Sequence, residues 1–371
     1  MNSNRSILTL LVAALVVLGL GPAAPLAAQE CRRTTLAPAP FWAFSGAWSP
    51  DGSSLQLVDV ARKAVLSYQL DETPGSIALG SADVDSSNAG RLSLLQSWRD
   101  GYLLEGADGE LQQLSADFQP VVQVGNVLAG AKFGLKSLDS WASDGEHLLV
   151  YGDYQHFSGR WVSVFARVSL DDPGNLQIIK WIPADDPARR FYLNAQNYLT
   201  VSEGRGYFLY LGEDPGIWEV DMERGDLRRL THALPQQFRH RIVLPELRGI
   251  DSVRDVYGAQ ERATAAVGLF AQDGLLYVLG RAPSADAAKK TRWTMTVVDP
   301  VEDRALRTLR LPTQSPHLLV IPGARQWAFV EKGSVTGLGN QPVSHAVTLP
   351  ASWLTAADSP LLKPQKEGLC Q

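Results

Sequence analysis

The sequence contains few of the residues around which common catalytic sites are built. Only two cysteines are present, Cys31 and Cys370, and their position near the chain ends makes them poor candidates for a thiol nucleophile. The six histidines form no HExxH motif, and the chain has neither a Gly-x-Ser-x-Gly elbow nor a phosphate-binding P-loop. These absences argue against a zinc peptidase of the HExxH type, an elbow-type serine hydrolase and a P-loop nucleotidase.

Basic residues are too few and too dispersed for a nucleic-acid-binding surface. The 371 residues carry 34 Lys and Arg against 39 Asp and Glu, which is a formal net charge of −5. The segment 1–28 holds one Arg and no acidic residue, so the rest of the chain has 33 basic and 39 acidic side chains and a formal charge of −6. No basic tail or stripe is present, and nucleic acid is therefore not an expected partner.

Only one long apolar run occurs, and it lies at the N-terminus. Arg5 precedes an uncharged stretch over 7–20, and the small residues of 21–28 supply a cleavage site near Ala28. This order is typical of a secretory signal peptide. A membrane anchor would need roughly 20 apolar residues, more than this run provides. The sequence therefore predicts export to the periplasm or the extracellular space, with no stable membrane insertion after cleavage.

Long amphipathic helical segments are also missing, and short β-type runs alternate instead with clusters of Gly, Pro, Asp and Ser. An aromatic residue followed by Asp-Gly and an apolar run occurs in Trp48–Gly52, Trp98–Gly101 and Trp141–Gly145. Phe270–Gly274 is a fourth copy with Phe in place of Trp. Each copy has the form of a β-hairpin, and recurrence at intervals of tens of residues predicts a repeat architecture.

The hairpin glycines set the expected number of repeats. The six positions are Gly52, Gly101, Gly145, Gly206, Gly274 and Gly323. Their spacings are 49, 44, 61, 68 and 49 residues. Propeller blades of four strands take roughly 40–50 residues, so we expect six blades, or seven if a degenerate blade is hidden in the long intervals. The segment 29–371 is then a single domain with an insertion around 232–264.

A second hairpin with a polar turn recurs in Gly216–Leu230 and Thr294–Leu309, so that each repeat supplies four strands. Ser49–Gly52 followed by an apolar strand resembles the repeat of TolB-like propellers, and Gly268–Leu279 resembles the corresponding element of NHL-type propellers. The resemblance implies an all-β, six-bladed β-propeller. Relatives at this level include scaffolds, sugar-binding modules and lactone hydrolases, so the resemblance implies a fold but leaves the class of function open.

The two cysteines predict how the ring is closed. In an exported protein an even pair of cysteines indicates a disulfide. A bond between Cys31 and Cys370 requires the chain ends to lie within roughly 7 Å, which a closed ring allows and an open solenoid does not. The short, partly β-branched segment Cys31–Leu36 is suited to complete the last blade from the other end of the chain.

Sites in propellers usually surround the central channel, where the innermost strand of each blade begins. The residues predicted at these positions are Trp42, Arg91, Lys136, Arg190, Arg262 and His317. Five of the six are Arg, Lys or His, which carry or can acquire a positive charge. Arginine also offers two parallel N–H donors to a carboxylate or phosphate. We therefore expect an anionic or sugar-like ligand, with Trp42 either a stacking platform or a core residue.

The insertion around 232–264 is the most distinctive segment outside the repeats. Four apolar residues in it share helical spacing: Ile250, Val253, Val256 and Tyr257. A short helix or ordered loop over one face of the propeller would add Tyr257 and Glu261 to the ligand site, because functional residues favour such loops. The alternative is a solvated connector with incidental charge.

These observations favour a non-enzymatic binding or scaffold module, acting as a monomer on a protein or on a small anionic or carbohydrate ligand. No catalytic residue, metal ligand or cofactor is predicted for this function. The alternative, implied by the resemblance, is a metal-dependent lactonase or esterase with a divalent cation such as calcium in the channel. Its candidate ligands are Glu261, Asn194 and Asn88, whose spacing sets none of them apart.

Overall fold

The computed structural model describes fifteen ranges and two single residues of the chain. They are 31–36, 39–40, 43–59, 64–69, 81–82, 94–105, 110–126, 134–136, 138–182, 198–212, 214–239, 255, 258–259, 262–283, 291–332, 345–362 and 370.

The described strands form six antiparallel sheets, five with four strands and one with five. The first strand, β1 (Arg32–Thr35), belongs to the last sheet. Blade 1 contains, from the inside outward, β2 (Ala43–Trp48), β3 (Ser54–Asp59), β4 (Ala64–Gln69) and β5 (Ser81–Ala82). Blade 2 contains β6 (Leu95–Trp98), β7 (Gly101–Glu105), β8 (Glu110–Ser115) and β9 (Pro120–Asn126). Blade 3 contains β10 (Gly134–Leu135), β11 (Ser140–Ser143), β12 (His147–Gln155), β13 (Trp161–Ser169) and β14 (Asp172–Ile182).

The second half of the ring repeats the pattern. Blade 4 contains β15 (Leu199–Ser202), β16 (Arg205–Tyr210), β17 (Gly216–Asp221) and β18 (Leu227–Leu230). Blade 5 contains β19 (Ala265–Gln272), β20 (Leu275–Pro283), β21 (Thr291–Asp299) and β22 (Arg304–Arg310). Blade 6 contains β23 (His317–Ile321), β24 (Gln326–Lys332), β25 (His345–Pro350) and, outermost, β1. Short helical segments cover Gln236–Phe238, Ala351–Thr355 and Pro360–Leu362.

Neighbouring blades contact one another through their innermost strands, β2 with β6, β11 with β15, β15 with β19 and β2 with β23. The protein is therefore a six-bladed β-propeller, as predicted, and the seven-bladed alternative is wrong. The described residues of the two long intervals hold no further sheet. Instead, β12, β13 and β14 of blade 3 are 9, 9 and 11 residues long, and the predicted insertion follows β18.

The ring closes as the two cysteines predicted. β1 pairs antiparallel with β25, from Arg32 opposite Thr348 to Thr35 opposite His345. A disulfide joins Cys31 to Cys370, whose Cα atoms are 4.7 Å apart. The bond covalently links the two chain ends beside the outer strand of blade 6. Such bonds are typical of oxidising compartments outside the cytosol.

Tryptophans at blade boundaries hold neighbouring sheets together by hydrogen bonds as well as by packing. The indole Nε1 of Trp48 in blade 1 donates to the Ile321 carbonyl of blade 6 at 3.2 Å. Trp141 in blade 3 donates to Oε2 of the buried Glu105 in blade 2 at 2.9 Å. A large ring fills the wedge between two twisted sheets, and its N–H satisfies a buried acceptor there.

Two of the predicted turn glycines lie on strands instead. Gly101 begins β7, and Arg99 takes the positive-φ position of that turn with φ 52°. A Cβ at Gly101 would lie 2.0 Å from the Leu114 carbonyl oxygen, so close approach of the backbones requires glycine there. Gly206 lies within β16, and Glu203 and Gly204 form its turn with φ 53° and 70°. Both differences shift the hairpin alignment without changing the number of blades.

The start of the insertion is held in place by one carboxylate of blade 5. Asp303, in the turn between β21 and β22, accepts the backbone N–H groups of Thr231 at 2.8 Å and of His232 and Ala233 at 3.0 Å. It also accepts the Thr231 hydroxyl at 2.8 Å. Burial tends to raise the pKa of Asp303, but these hydrogen bonds outweigh it and the pKa lies below its ordinary value.

We expect Asp303→Ala to lower the free energy of unfolding by about 2–3 kcal/mol, because several donors lose a charged acceptor. The pKa of Asp303 is lower in the folded state than its unfolded value of about 3.9. Its contribution is therefore present above that value and is lost as the pH falls through the folded-state pKa. Urea titrations at neutral and acidic pH measure this, with Asp303→Asn as the isosteric control. A difference between parent and variant that is constant across this range would contradict the assignment.

The insertion then packs onto blade 5. Phe238, at the end of its short helical turn, is buried, and its ring lies over Gly280 in β20, where an added Cβ would come within 2.2 Å of the Phe238 Cζ. Most of the predicted helix, including Tyr257 and Glu261, lies outside the described residues. The described residues Asp255, Gly258, Ala259 and Arg262 have helical backbone.

Candidate functional site

The innermost strands of all six blades enclose a central cavity of about 250 Å³. Its polar lining residues are Ser45, Gln96, Ser97 and Thr200, and no described lining residue is charged. Several of these side chains hold blades together: Ser45 Oγ accepts the Leu95 N–H at 3.1 Å, and Ser97 Oγ donates to the Trp48 carbonyl at 2.8 Å. The polar groups at this depth of the channel therefore serve as links between strands.

Three of the residues predicted around the channel entrance are described, and they lie on different blades. Lys136 lies between β10 and β11, and its backbone N–H donates to the Asp153 carbonyl at 2.7 Å. Arg262 is exposed and lies just before β19, and His317 is the first residue of β23. The other predicted ligand-binding residues lie outside the described residues: Trp42, Arg91, Arg190, Tyr257 and Glu261. Asn88 and Asn194 lie outside them too, and the role of the whole set in ligand binding stays a prediction.

A larger cavity, of about 660 Å³, lies between blades 4 and 5. We call it the blade 4–5 groove. Its lining comes from the β15–β16 turn, β16 to β18, the β19–β20 turn and the start of the β21–β22 turn. These turns lie at the opposite end of the strands from the predicted entrance residues. Sequence reasoning placed the site on the face of the 232–264 insertion and did not predict this groove.

One wall of the groove carries two arginines that share a glutamate. Arg205 Nη1 donates to Glu219 Oε1 at 3.2 Å and lies 3.6 Å from Asp221 Oδ2. Arg228 Nη2 donates to Glu219 Oε2 at 2.7 Å and to the Pro300 carbonyl at 3.0 Å. The Glu219 side chain is only 9% exposed, whereas both arginine side chains are about half exposed. Both guanidinium groups thus keep further donors, Nε and one terminal nitrogen each, that bond to no described residue.

The rest of the groove combines a phenol with apolar walls. Burial, followed by the Glu219 charge, raises the pKa of Tyr207 to about 12, so its hydroxyl stays protonated near neutral pH. The opposite wall includes Leu275 and Val301, and the Val301 side chain is 82% exposed. In total, three carboxylates and two guanidinium groups line the groove, and the carboxylates are those of Glu203, Glu219 and Asp226.

The sequence does contain a signal for this wall. Glu219 lies opposite both Tyr207 and Arg228 in the ladders of blade 4, and Arg205 lies opposite Asp221. These charged residues therefore occupy neighbouring positions on one face of a hairpin that was predicted correctly from Gly216–Leu230. What the hairpin alone could not show is that blade 5 leaves this face partly uncovered.

Among the described residues, no group of three or more His, Cys, Asp or Glu side chains could hold a metal ion. In the same part of the chain, no helix has both the length and the apolar character needed to cross a membrane.

No protein-family model matches the chain, and no curated protein sequence does so either. The chain is similar to solved structures of propellers, among them a luciferin-regenerating enzyme, at 13% identity and a TM-score of 0.48 over 86% of this chain and 94% of that one. A calcium-binding protein, regucalcin, from Agrobacterium tumefaciens has 9% identity and a TM-score of 0.43 over 88% and 95%. BamB from Moraxella catarrhalis has 8% identity and a TM-score of 0.35 over 82% of each chain. These similarities concern the fold and carry no information on a ligand or reaction.

Proposed function

We propose that this propeller is an exported binding module that takes up an extended segment of a partner protein in the blade 4–5 groove. The observation that carries the proposal is the pair of half-exposed guanidinium groups on either side of the nearly buried Glu219. Glu219 holds both groups in position, because it accepts a hydrogen bond from each. A carboxylate of the partner then meets preorganised donors and does not have to order flexible side chains.

The charge of the groove restricts what can bind. Its three carboxylates outnumber its two guanidinium groups, so a polyanion such as a nucleic acid or a multiply phosphorylated ligand would be repelled. A segment with one acidic side chain meets both arginines, while Glu203 and Asp226 at the exposed rim accept hydrogen bonds from its backbone or from a basic neighbour. The proposed occupant is therefore a polypeptide with a single carboxylate at its centre.

The apolar wall supplies the second half of the recognition. Val301 and Leu227 belong to the exposed large hydrophobic residues of the described chain, and both line this groove. Interfaces between proteins typically join an apolar centre to a polar rim and are enriched in Tyr and Arg. An apolar side chain next to the acidic residue of the partner would cover Leu227, Leu275 and Val301 and exclude water from the charged contacts.

Selection of a random peptide library on the immobilised full-length protein tests this function. We expect the selected peptides to share an acidic residue next to an apolar one. With a synthetic peptide of that consensus, Arg228→Ala should weaken binding by about 10- to 100-fold, as expected for a lost charged hydrogen bond. Titrations by fluorescence anisotropy measure the affinity.

A neighbouring arginine provides the matched control. Arg229 follows Arg228 on β18, so its side chain points to the other face of the sheet, where it pairs with Asp214. Arg229→Ala removes the same charge from the same strand and should change the peptide affinity less than about threefold. Equal losses in the two variants, or selected peptides without a common acidic residue, would rule out the groove as the binding site.

A further inference from the structure

A second feature, unrelated to the groove, lies at the opposite end of the strands in blade 3. Its long strands β12 and β13 extend to a tight turn at 156–160, and β14 ends beside that turn. Four rings meet there: those of Tyr154, His156, Phe157 and Trp181. We call this cluster the aromatic corner. Phe157 is 74% exposed and Trp181 is 46% exposed, which is unusual for rings of this size.

The rings of the aromatic corner support one another. Trp181 lies edge-to-face with Tyr154, with an interplanar angle of 87° and centroids 5.4 Å apart, and nearly so with His156 at 78° and 6.0 Å. The His156 and Phe157 centroids are 3.8 Å apart. Tyr154 is partly buried against the core between blades 2 and 3. Tyr154 and His156 thus hold the rings of Trp181 and Phe157 in position before any ligand binds.

Hydrogen-bond donors border these rings. The backbone N–H of Ser158 donates to His156 Nδ1 at 3.3 Å, and the Ser158 hydroxyl lies 2.9 Å from the same nitrogen. With Nδ1 accepting from the Ser158 N–H, Nε2 is the ring nitrogen that is left to donate. Arg160, the last residue of the same turn, is exposed and carries a guanidinium group. Polar groups therefore lie at the edge of an apolar aromatic surface.

The size of the exposed ring surface suits a small ring-shaped ligand. Phe157 and Trp181 together expose on the order of 300 Å², judged from the usual size of aromatic side chains. A stable protein interface covers roughly 800 Å² of each partner. One or two sugar rings match the smaller area, since a pyranose has an apolar face of C–H groups and a rim of hydroxyl groups.

We infer that the aromatic corner is a binding site for a hexopyranose unit of an oligosaccharide. The C–H face of the sugar packs on Trp181 and Phe157, and its hydroxyl groups accept from His156 Nε2 and Arg160. Lys180, the neighbour of Trp181, is directed to the other face of the blade, where it lies over the rings of Tyr210 and Trp218 at 4.6 and 4.4 Å. Within the described turn 156–160, Arg160 supplies the permanent charge, so recognition depends mainly on stacking.

Titration of the full-length protein with cellohexaose, maltohexaose and chitohexaose tests this inference, with calorimetry as the readout. We expect saturable binding of at least one glycan at millimolar concentrations. Trp181→Ala and Phe157→Ala should each weaken it roughly tenfold, in line with the loss of a stacked ring. Trp181→Phe should retain most of the affinity because a ring remains. Leu306→Ala is the control, since it removes an exposed apolar side chain from blade 5.

Three results would overturn the inference: no saturable binding of any of the three glycans, equal affinity in the parent and both alanine variants, or loss of affinity in Leu306→Ala as well. Phosphatidylcholine vesicles serve as a further probe. If the protein binds vesicles through Trp181 and Phe157 but binds no glycan, the corner is a lipid contact and the sugar site is wrong. The groove variant Arg228→Ala should bind the glycan as the parent does, so the failure of either site can be recognised separately.

Discussion

Replacement of Cys31 by Ser is expected to lower the free energy of unfolding by several kcal/mol. The disulfide spans 339 residues. A loop of that length gives a chain-entropy contribution of roughly 5–6 kcal/mol as an upper limit. Without the bond, the first strand is held by the four-residue ladder between β1 and β25, the ion pair of Arg33 with Glu331 and the packing of Leu36. Thermal and urea unfolding of the oxidised parent and the variant measure the difference.

The second cysteine supplies the control for this experiment. Cys370→Ser and the double replacement should be no less stable than Cys31→Ser, because all three lack the same bond. A reductant should bring the parent to the level of the variants and leave the variants unchanged. An unchanged melting temperature of the parent in reductant would show that the bond does not stabilise the ring.

Trp327→Ala is expected to cost about 3–5 kcal/mol, the range for truncation of a fully buried aromatic side chain. Trp327 lies in the second strand of blade 6 and is completely buried. Its Nε1 donates to Gln272 Oε1 of blade 5 at 2.7 Å. Its ring packs against Phe270 and Tyr277, with centroids 5.5 and 4.9 Å away. The cavity left by alanine would weaken the packing between blade 5 and blade 6. Blade 6 is also the blade that closes the ring.

Two further variants distinguish the loss of a buried ring between blades from the loss of a hydrogen bond and from the loss of a tryptophan elsewhere. Trp327→Phe keeps most of the volume and loses the hydrogen bond to Gln272, so it should cost clearly less than alanine, about 1–2 kcal/mol. Trp181→Ala removes an exposed tryptophan and should change stability by less than about 1 kcal/mol. Urea denaturation with far-UV circular dichroism distinguishes these values. Equal destabilisation by Trp327→Ala and Trp181→Ala would show that blade contacts are not the origin of the effect.

Much of the fold could be predicted because its signals are local. An aromatic residue, Asp-Gly and an apolar run identify a hairpin within a few residues, as at Trp141–Gly145, and the spacing of such hairpins gives the blade number. The disulfide could be predicted because two cysteines permit only one pairing. At two turns a residue other than the aligned glycine, Arg99 or Glu203, has a positive φ. The aligned glycine then lies on a strand, but the blade itself was predicted correctly.

The candidate sites were less predictable because they depend on how blades meet. The groove joins Arg205 and Arg228 of blade 4 to Val301 of blade 5, and the sequence alone does not show which side chains of two blades will face a common space. The aromatic corner arises from the extra length of β12 to β14, which carries Phe157 and Trp181 beyond the core. Strand length and register, not residue type, decide which aromatic side chains remain uncovered.

The bond between Cys31 and Cys370 also makes the backbone from 31 to 370 a covalent circle. A protease that cuts once between 31 and 370 leaves all the pieces attached, and only a second cut can release a fragment. A nicked molecule of this design can therefore keep its blades together and still bind.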